Sequence, residues 1–166
     1  MLRVLALTDM DAAAQVHRIA FDHAMPWLAG LHTPDEDRWF YCGRVFAVCR
    51  IWGRFDDDVL SGIIAFSEGW IEQLYVLPTA QGRGVGTELL DVAKHACERL
   101  ELWTFQRNAP ARRFYEVRGF TRVEQSDGTR NEEKEPDVRY LWTRGADGSG
   151  RMGRAKRNPS FQSLAR

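Results

Sequence analysis

Val76-Leu77-Pro78-Thr79-Ala80-Gln81-Gly82-Arg83-Gly84-Val85-Gly86-Thr87 is the stretch whose reading decides the fold. An apolar, β-rich run from Trp70 to Leu77 leads into it. Pro78 closes that strand, because proline cannot donate to a sheet ladder. Beyond it, Val85, Leu89, Ala93, Ala96 and Leu100 recur at helical spacing. The glycines therefore occupy a strand-to-helix turn, where they let the backbone bend tightly and approach a ligand. The N–H groups and positive end of the following helix favour an anion, and Arg83 adds a charge suited to phosphate. A Walker loop needs Gly-Lys-Ser/Thr, which is missing. A dinucleotide fingerprint needs GxGxxG and an acid at the end of the next strand. Here the glycines fall at 82, 84 and 86, and the strand from Glu101 to Gln106 does not end on an acid. A purely structural glycine turn remains as the third reading.

Upstream, Leu2 to Leu7 reads as a strand, and Thr8-x-x-Asp11 resembles a capping box opening a helix. Ala13, His17, Ala20, Phe21 and Ala24 give that helix one face, and Pro26 ends it. Pro34-Asp35-Glu36-Asp37 places proline and acids in the first turn of a second helix, expected to run to about Arg44. Phe46 to Trp52 and Val59 to Phe66 read as strands, with Gly53 to Asp58 as the hairpin punctuation between them. Downstream come a strand, Glu101 to Gln106, and a short helix with Asn108 as N-cap, Pro110 in its first turn and Gly119 as its stop. Phe120 to Val123 and Val138 to Thr143 finish as strands around a polar loop. The order is β-α-α-β-β-β-α-β-α-β-β. Strand–helix–strand across residues 70–106 demands a parallel pair, while the hairpins are antiparallel. The expected class is a mixed α/β sheet.

The chain has 166 residues, 44% of them hydrophobic, which fits one domain with a real core. Its net charge of zero conceals a split: residues 1–144 carry −4 and residues 145–166 carry +4. The expectation is a folded domain over 1–144 and a basic, disordered tail over 145–166, rich in Gly, Ser, Asn and Pro. The six Lys and Arg from Arg144 onward, with only Phe161 as an aromatic, are too few for nucleic-acid binding. No apolar run approaches the roughly 20 residues that span a bilayer, so no membrane partner is expected. Leu2 to Leu7 is too short for the apolar core of a secretory signal. Cys42, Cys49 and Cys97 are odd in number and lack CxxC spacing, which reads as buried, reduced thiols in a cytoplasmic protein rather than a disulfide frame or a zinc site. No metal site is expected, since Asp56-Asp57-Asp58 reads as a turn without the spaced ligands of a calcium loop.

The strand, Val76-Leu77-Pro78, then Gln81-x-x-Gly84-x-Gly86 and a leucine-bearing helix closely resemble the acyl-CoA motif of the GNAT-type N-acetyltransferases, (Gln/Arg)-x-x-Gly-x-(Gly/Ala). A second signature of that family follows: Asn108-Ala109-x-Ala111-x-x-Phe114-Tyr115-Glu116-x-x-Gly119-Phe120. The likeness is strong over residues 59–124, and residues 2–52 agree only in element order.

The resemblance implies transfer of an acetyl group from acetyl-CoA, a cosubstrate, directly to a primary amine. It implies two parallel strands splayed apart, here residues 70–77 and 101–106, with the pantetheine arm between them. The backbone of Leu74, Tyr75 and Val76 would bind that arm, and an N–H near Leu74 or Tyr75 would support the developing oxyanion. Gln81, Gly82, Arg83, Gly84, Val85, Gly86 and Thr87 would hold the pyrophosphate. Tyr115 matches the family tyrosine that approaches the CoA sulfur and is the expected acid. Glu72 matches a glutamate of polyamine-type relatives and is the expected base, through a water or directly. Asn108 would combine helix capping with a contact to the pantetheine or the substrate. The front helices, with Phe21, His23, Trp27, Trp39, Phe40 and Tyr41, would frame the acceptor, a small molecule or peptide amine, and the acids of Asp127 to Asp137 suit a cationic one. A homodimer is compatible with this reading. The alternative from another class is a non-catalytic acyl-CoA-binding or sensor module, which would keep the glycine loop and lose Tyr115 and a base.

Overall fold

The computed structural model describes residues 1–145, so the expected tail beyond Gly145 lies outside the described residues. Contacts divide the chain into two compact units, Met1–Cys97 and a second beginning at Glu98.

The first unit comprises β1 (Leu2–Val4), α1 (Met10–Ala24), α2 (Pro34–Phe40), α3 (Phe46–Val48), β2 (Arg50–Asp56), β3 (Val59–Ser67), β4 (Trp70–Val76) and α4 (Val85–Ala96). Its strands pair antiparallel in the order β1-β2-β3-β4. Met10, Ala13, Ala14 and Val16 of α1 pack with Tyr41, Val45, Ile51, Ile63 and Ala65 into a core on one face of the sheet. Gly62 points to the opposite face, since neighbouring side chains on a strand alternate. A Cβ there would stand 2.9 Å from Val85 Cγ1 and 3.0 Å from Leu89 Cδ1, so the bare glycine lets α4 dock closely.

Three local expectations need correction. The first helix is not opened by Thr8. A 3-10 turn, Leu7–Asp9, precedes α1, and Asp9 Oδ2 accepts from the Ala6 N–H at 2.7 Å. The second helix does not stop near Arg44. α2 begins with a capping box between Thr33 and Glu36. It runs on through a π-helical turn, Tyr41–Val45, into α3. Phe46 to Val48 is therefore helical, and β2 starts only at Arg50. Tyr41 and Val45, four apart, are both fully buried, while Phe46 and Val48 are exposed. Burial of that helical pair overrides the β-propensity of Phe46-Ala47-Val48. Gly53 is not in a turn either. It lies within β2, where a Cβ would come 2.6 Å from both Leu5 Cδ2 and Leu60 Cδ1. The turn is the pair Asp57-Asp58, with φ of 47° and 65°, a tight two-residue hairpin loop.

The second unit holds β5 (Arg99–Phe105), α5 (Ala109–Glu116), β6 (Thr121–Ser126) and β7 (Asp137–Thr143), with its strands antiparallel in the order β5-β7-β6. Asn108 caps α5 as expected, its Oδ1 accepting from the Ala111 N–H at 3.2 Å. At the other end Phe120 N–H bonds to Tyr115 O and Gly119 N–H to Glu116 O, with Gly119 at φ 87°. This is the left-handed glycine stop the spacing predicts. Cys42, Cys49 and Cys97 are partly exposed rather than buried, because each lies at the margin of a packed region, and no disulfide joins them. Among the described residues no helix is long and apolar enough to cross a membrane.

Candidate active site

The loop after β4 is built to present backbone amides. A 3-10 turn, Pro78–Ala80, follows the strand, and the Gln81 side chain donates from Nε2 to Val76 O at 3.0 Å, tying the loop to the strand end. Gly82 and Gly84 take φ of 73° and 84°, and a Cβ at either would meet nothing within 4 Å. The backbone thus faces open space at both positions. Gly84 is the N-cap of α4, and Glu88 N–H is the first to bond back, to Gly84 O at 3.0 Å. The amides from Val85 to Thr87 precede the helical ladder, at the positive end of the helix. Gln81, Gly82, Arg83 and Gly84 are exposed, whereas Val85 is buried under Gly62 and anchors the turn. This donor set fits an anion such as a pyrophosphate.

β4 carries Glu72 in an irregular position. Ala65 pairs with Gln73 and Phe66 with Ile71, so Glu72 is an extra residue with no partner on β3. Such a bulge re-aims a side chain. Tyr75 packs against the α1 core and Ala65 belongs to it, which places Gln73 and Tyr75 on the α1 face. In a regular strand Glu72 would share the opposite face with Leu74. Instead its electrostatic neighbour is Cys49, which packs against the α1 core. Burial raises the Glu72 carboxyl to about 7, and a hydrogen bond with Ser67 offsets part of that rise. Its Oε1 is buried without a hydrogen-bond partner among the described residues. Burial, aided by the charge of Glu72, pushes the Cys49 thiol up to about 12, so it is a neutral neighbour.

Three aromatic rings on this face, Phe21, Tyr41 and Tyr75, surround His17. Its ring lies on Tyr75 and meets Tyr41 edge-on, centroids 5.6 Å apart. His17 Nδ1 and the Tyr41 hydroxyl are hydrogen-bonded at 3.1 Å. Burial, followed by the charges of His32 and Arg18, lowers His17 to about 3 and keeps it neutral. The sequence placed His17 on the helix face but gave it no role. Its signal was the spacing to Phe21, four residues on, whose ring lies 5.8 Å away.

In the second unit α5 supports Asn108 at its start and Tyr115 near its end. Tyr115 is buried, with Phe114 and Phe120 rings at 5.2 and 5.4 Å. Burial raises its hydroxyl well above the usual tyrosine value, so it stays protonated and able to donate. The loop between β6 and β7 spends several of its acids on itself. Asp127 Oδ1 accepts from Thr129, Asp137 is held by Ser126 and Asn131, and Glu135 pairs with Arg107. Burial raises Glu133 to about 7. Among the described residues no group of three or more His, Cys, Asp or Glu is arranged to hold a metal.

The structure therefore brings Glu72, Leu74–Val76 and Gln81–Thr87 together along one strand and its exit loop, and sets Asn108 and Tyr115 on one short helix. The bulge at Glu72 and the His17–Tyr41–Tyr75 cluster are features that sequence reasoning missed.

Residues 10–120 match the Acetyltransferase (GNAT) family. Over 70 residues the chain is 33% identical to the peptidyl-lysine N-acetyltransferase YiaC of Escherichia coli (strain K12), covering 42% of this chain and 48% of YiaC. That match spans about half the length of the relative. The solution structure of apo-form YjaB from Escherichia coli is similar with a TM-score of 0.72 at 19% identity, over 85% of this chain and 95% of that one. The structure of yncA from Salmonella typhimurium with its cofactor acetyl-CoA is similar with a TM-score of 0.65 at 16% identity, over 91% and 97%. These likenesses bear out the mixed α/β fold.

Proposed function

The chain belongs to the GNAT acetyltransferase family, and on that premise we propose that it transfers an acetyl group from acetyl-CoA to a primary amine. The observation that carries the proposal is Glu72, a bulged carboxyl with a buried oxygen and a proton affinity near neutrality. A base works best when its pKa lies near the working pH. Bound acetyl-CoA supplies the activated acetyl thioester.

The chain's residues do the rest. Amides of Gln81 to Thr87, with Arg83, hold the pyrophosphate. The backbone of Leu74, Tyr75 and Val76 pairs with the pantetheine arm, and an amide there steadies the oxyanion. Asn108 Oδ1 accepts the cap bond, and its Nδ2 remains a donor for the arm or the substrate. Glu72 accepts the proton of the acceptor ammonium. The amine nitrogen bonds to the acetyl carbon, the carbon–sulfur bond breaks, Tyr115 donates its proton to the leaving thiolate, and the second proton, shed by the nitrogen as it becomes an amide, returns through solvent to the tyrosine.

The name of YiaC makes a peptidyl lysine the first acceptor to test, ahead of peptide N-termini and small amines. Free-thiol release from acetyl-CoA is measured against a panel of these three classes. Turnover with at least one class is expected. Tight acyl-CoA binding with no turnover on any class would replace this reading with that of an acyl-CoA sensor.

A further inference from the structure

We propose that Tyr140 is a positioning residue for Tyr115, its hydroxyl fastening α5 to β7 so that the Tyr115 hydroxyl is held in one place. The proposal rests on the reading of Tyr115 as the proton donor.

Tyr140 stands on β7 with its side chain fully buried. Its hydroxyl donates to Glu116 Oε1 at 2.6 Å and accepts from Arg112 Nε at 3.3 Å. Arg112 also donates from Nη1 to Gln106 O at 3.1 Å, just after β5. One hydroxyl thus grips two side chains of α5 a turn apart, and Tyr115 lies between them in sequence. The Tyr115 and Tyr140 rings are 6.3 Å apart and inclined by 32°.

α5 has eight residues, about two turns, too short to hold its own orientation. Apolar packing against Phe114 and Phe120 is non-directional. It fixes the depth of the Tyr115 ring better than its rotation. Hydrogen bonds are directional, and the pair on Tyr140 sets the rotation of the helix over β7. A proton donor displaced by about 1 Å can cost about 10²-fold in rate. The Tyr140 hydroxyl touches none of the reacting atoms in this scheme and acts through Tyr115.

The experiment is a double-mutant cycle read as kcat and acetyl-CoA KM. Tyr140→Phe is expected to lower kcat about tenfold and leave KM within about twofold. In the Tyr115→Phe background the same change is expected to cost nothing more. Glu116→Ala should lose as much as Tyr140→Phe, and Glu116→Gln, which keeps an accepting oxygen, should recover most of that loss. This second pair decides the matter if Tyr140→Phe does not fold. Parental kcat in Tyr140→Phe, or losses that multiply in the double variant, would overturn the proposal while leaving Tyr115 as donor. Parental turnover in Tyr115→Phe alone would overturn the donor reading itself, and this proposal with it.

Discussion

The His17 imidazole lies flat on the Tyr75 ring, centroids 4.2 Å apart and planes within 10° of parallel. The stack joins α1 to the strand expected to carry the pantetheine, and burial there keeps His17 neutral. Burial has lowered the folded-state value to about 3, against an ordinary 6.5. For a lowered histidine, the native state's advantage is complete above 6.5 and drains away as pH falls toward 3. We therefore expect unfolding free energy to drop by on the order of 2–4 kcal/mol between pH 7 and pH 4 from this group. His17→Gln keeps a polar partner for Tyr41 and does not titrate. It should be less stable than the parent at pH 8 and lose less on acidification, as read by urea unfolding at several pH values. Equal acid sensitivity in the two proteins would refute the assignment.

Glu72 carries the opposite sign. Its folded value, about 7, lies above the ordinary 4.5, so its contribution is complete at low pH and is lost as pH rises through 7. Glu72→Gln should be more stable than the parent at pH 8, by about 1 kcal/mol once solvent screening is allowed for. It should match the parent near pH 4.5. In turnover the order reverses. The variant should fall by about 10²-fold near pH 7–8 and lose the acid limb centred near 7. The gap should close at higher pH as the acceptor amine approaches its own pKa.

Tyr115→Phe should lower kcat by about 10- to 10²-fold and leave acetyl-CoA affinity unchanged by calorimetry. The loss stays moderate because a CoA thiolate already leaves fairly well. Since burial holds the hydroxyl protonated, the parent should show no loss of rate between pH 8 and 10 that this substitution removes.

Gly84→Asp tests the proposed anion site. Aspartate is a good N-cap and tolerates the left-handed region, so the fold should survive at a cost of about 1 kcal/mol. Its carboxylate would enter the open space beside Gly84 and repel phosphate. CoA affinity by calorimetry should fall at least about tenfold. Undiminished binding in a folded variant would move the pyrophosphate elsewhere.

The glycine turn after β4 and the α5 caps were legible because their backbone preferences are local. Gln81, Gly84 and Gly86 sit within six residues, and Asn108, Pro110 and Gly119 mark one helix by their own backbone preferences. The π-turn at Tyr41–Val45 was not legible, since it is set by what those two side chains bury against. Nor was the neutral state of His17, which depends on a strand more than fifty residues away. Glu72 was singled out by family likeness alone, and its orientation was not legible, because a bulge is a mismatch between two strands and appears in neither one alone.

That mismatch makes the carboxylate's direction a matter of counting. One residue inserted into β3 between Ala65 and Phe66 would give Glu72 a partner, restore strict alternation and swing its side chain to the α4 face. Every original side chain would still be present, yet the carboxyl proposed as the base would leave the α1 face. The address of this group is written in the unequal lengths of two neighbouring strands, and a scan that only exchanges one amino acid for another would never read it.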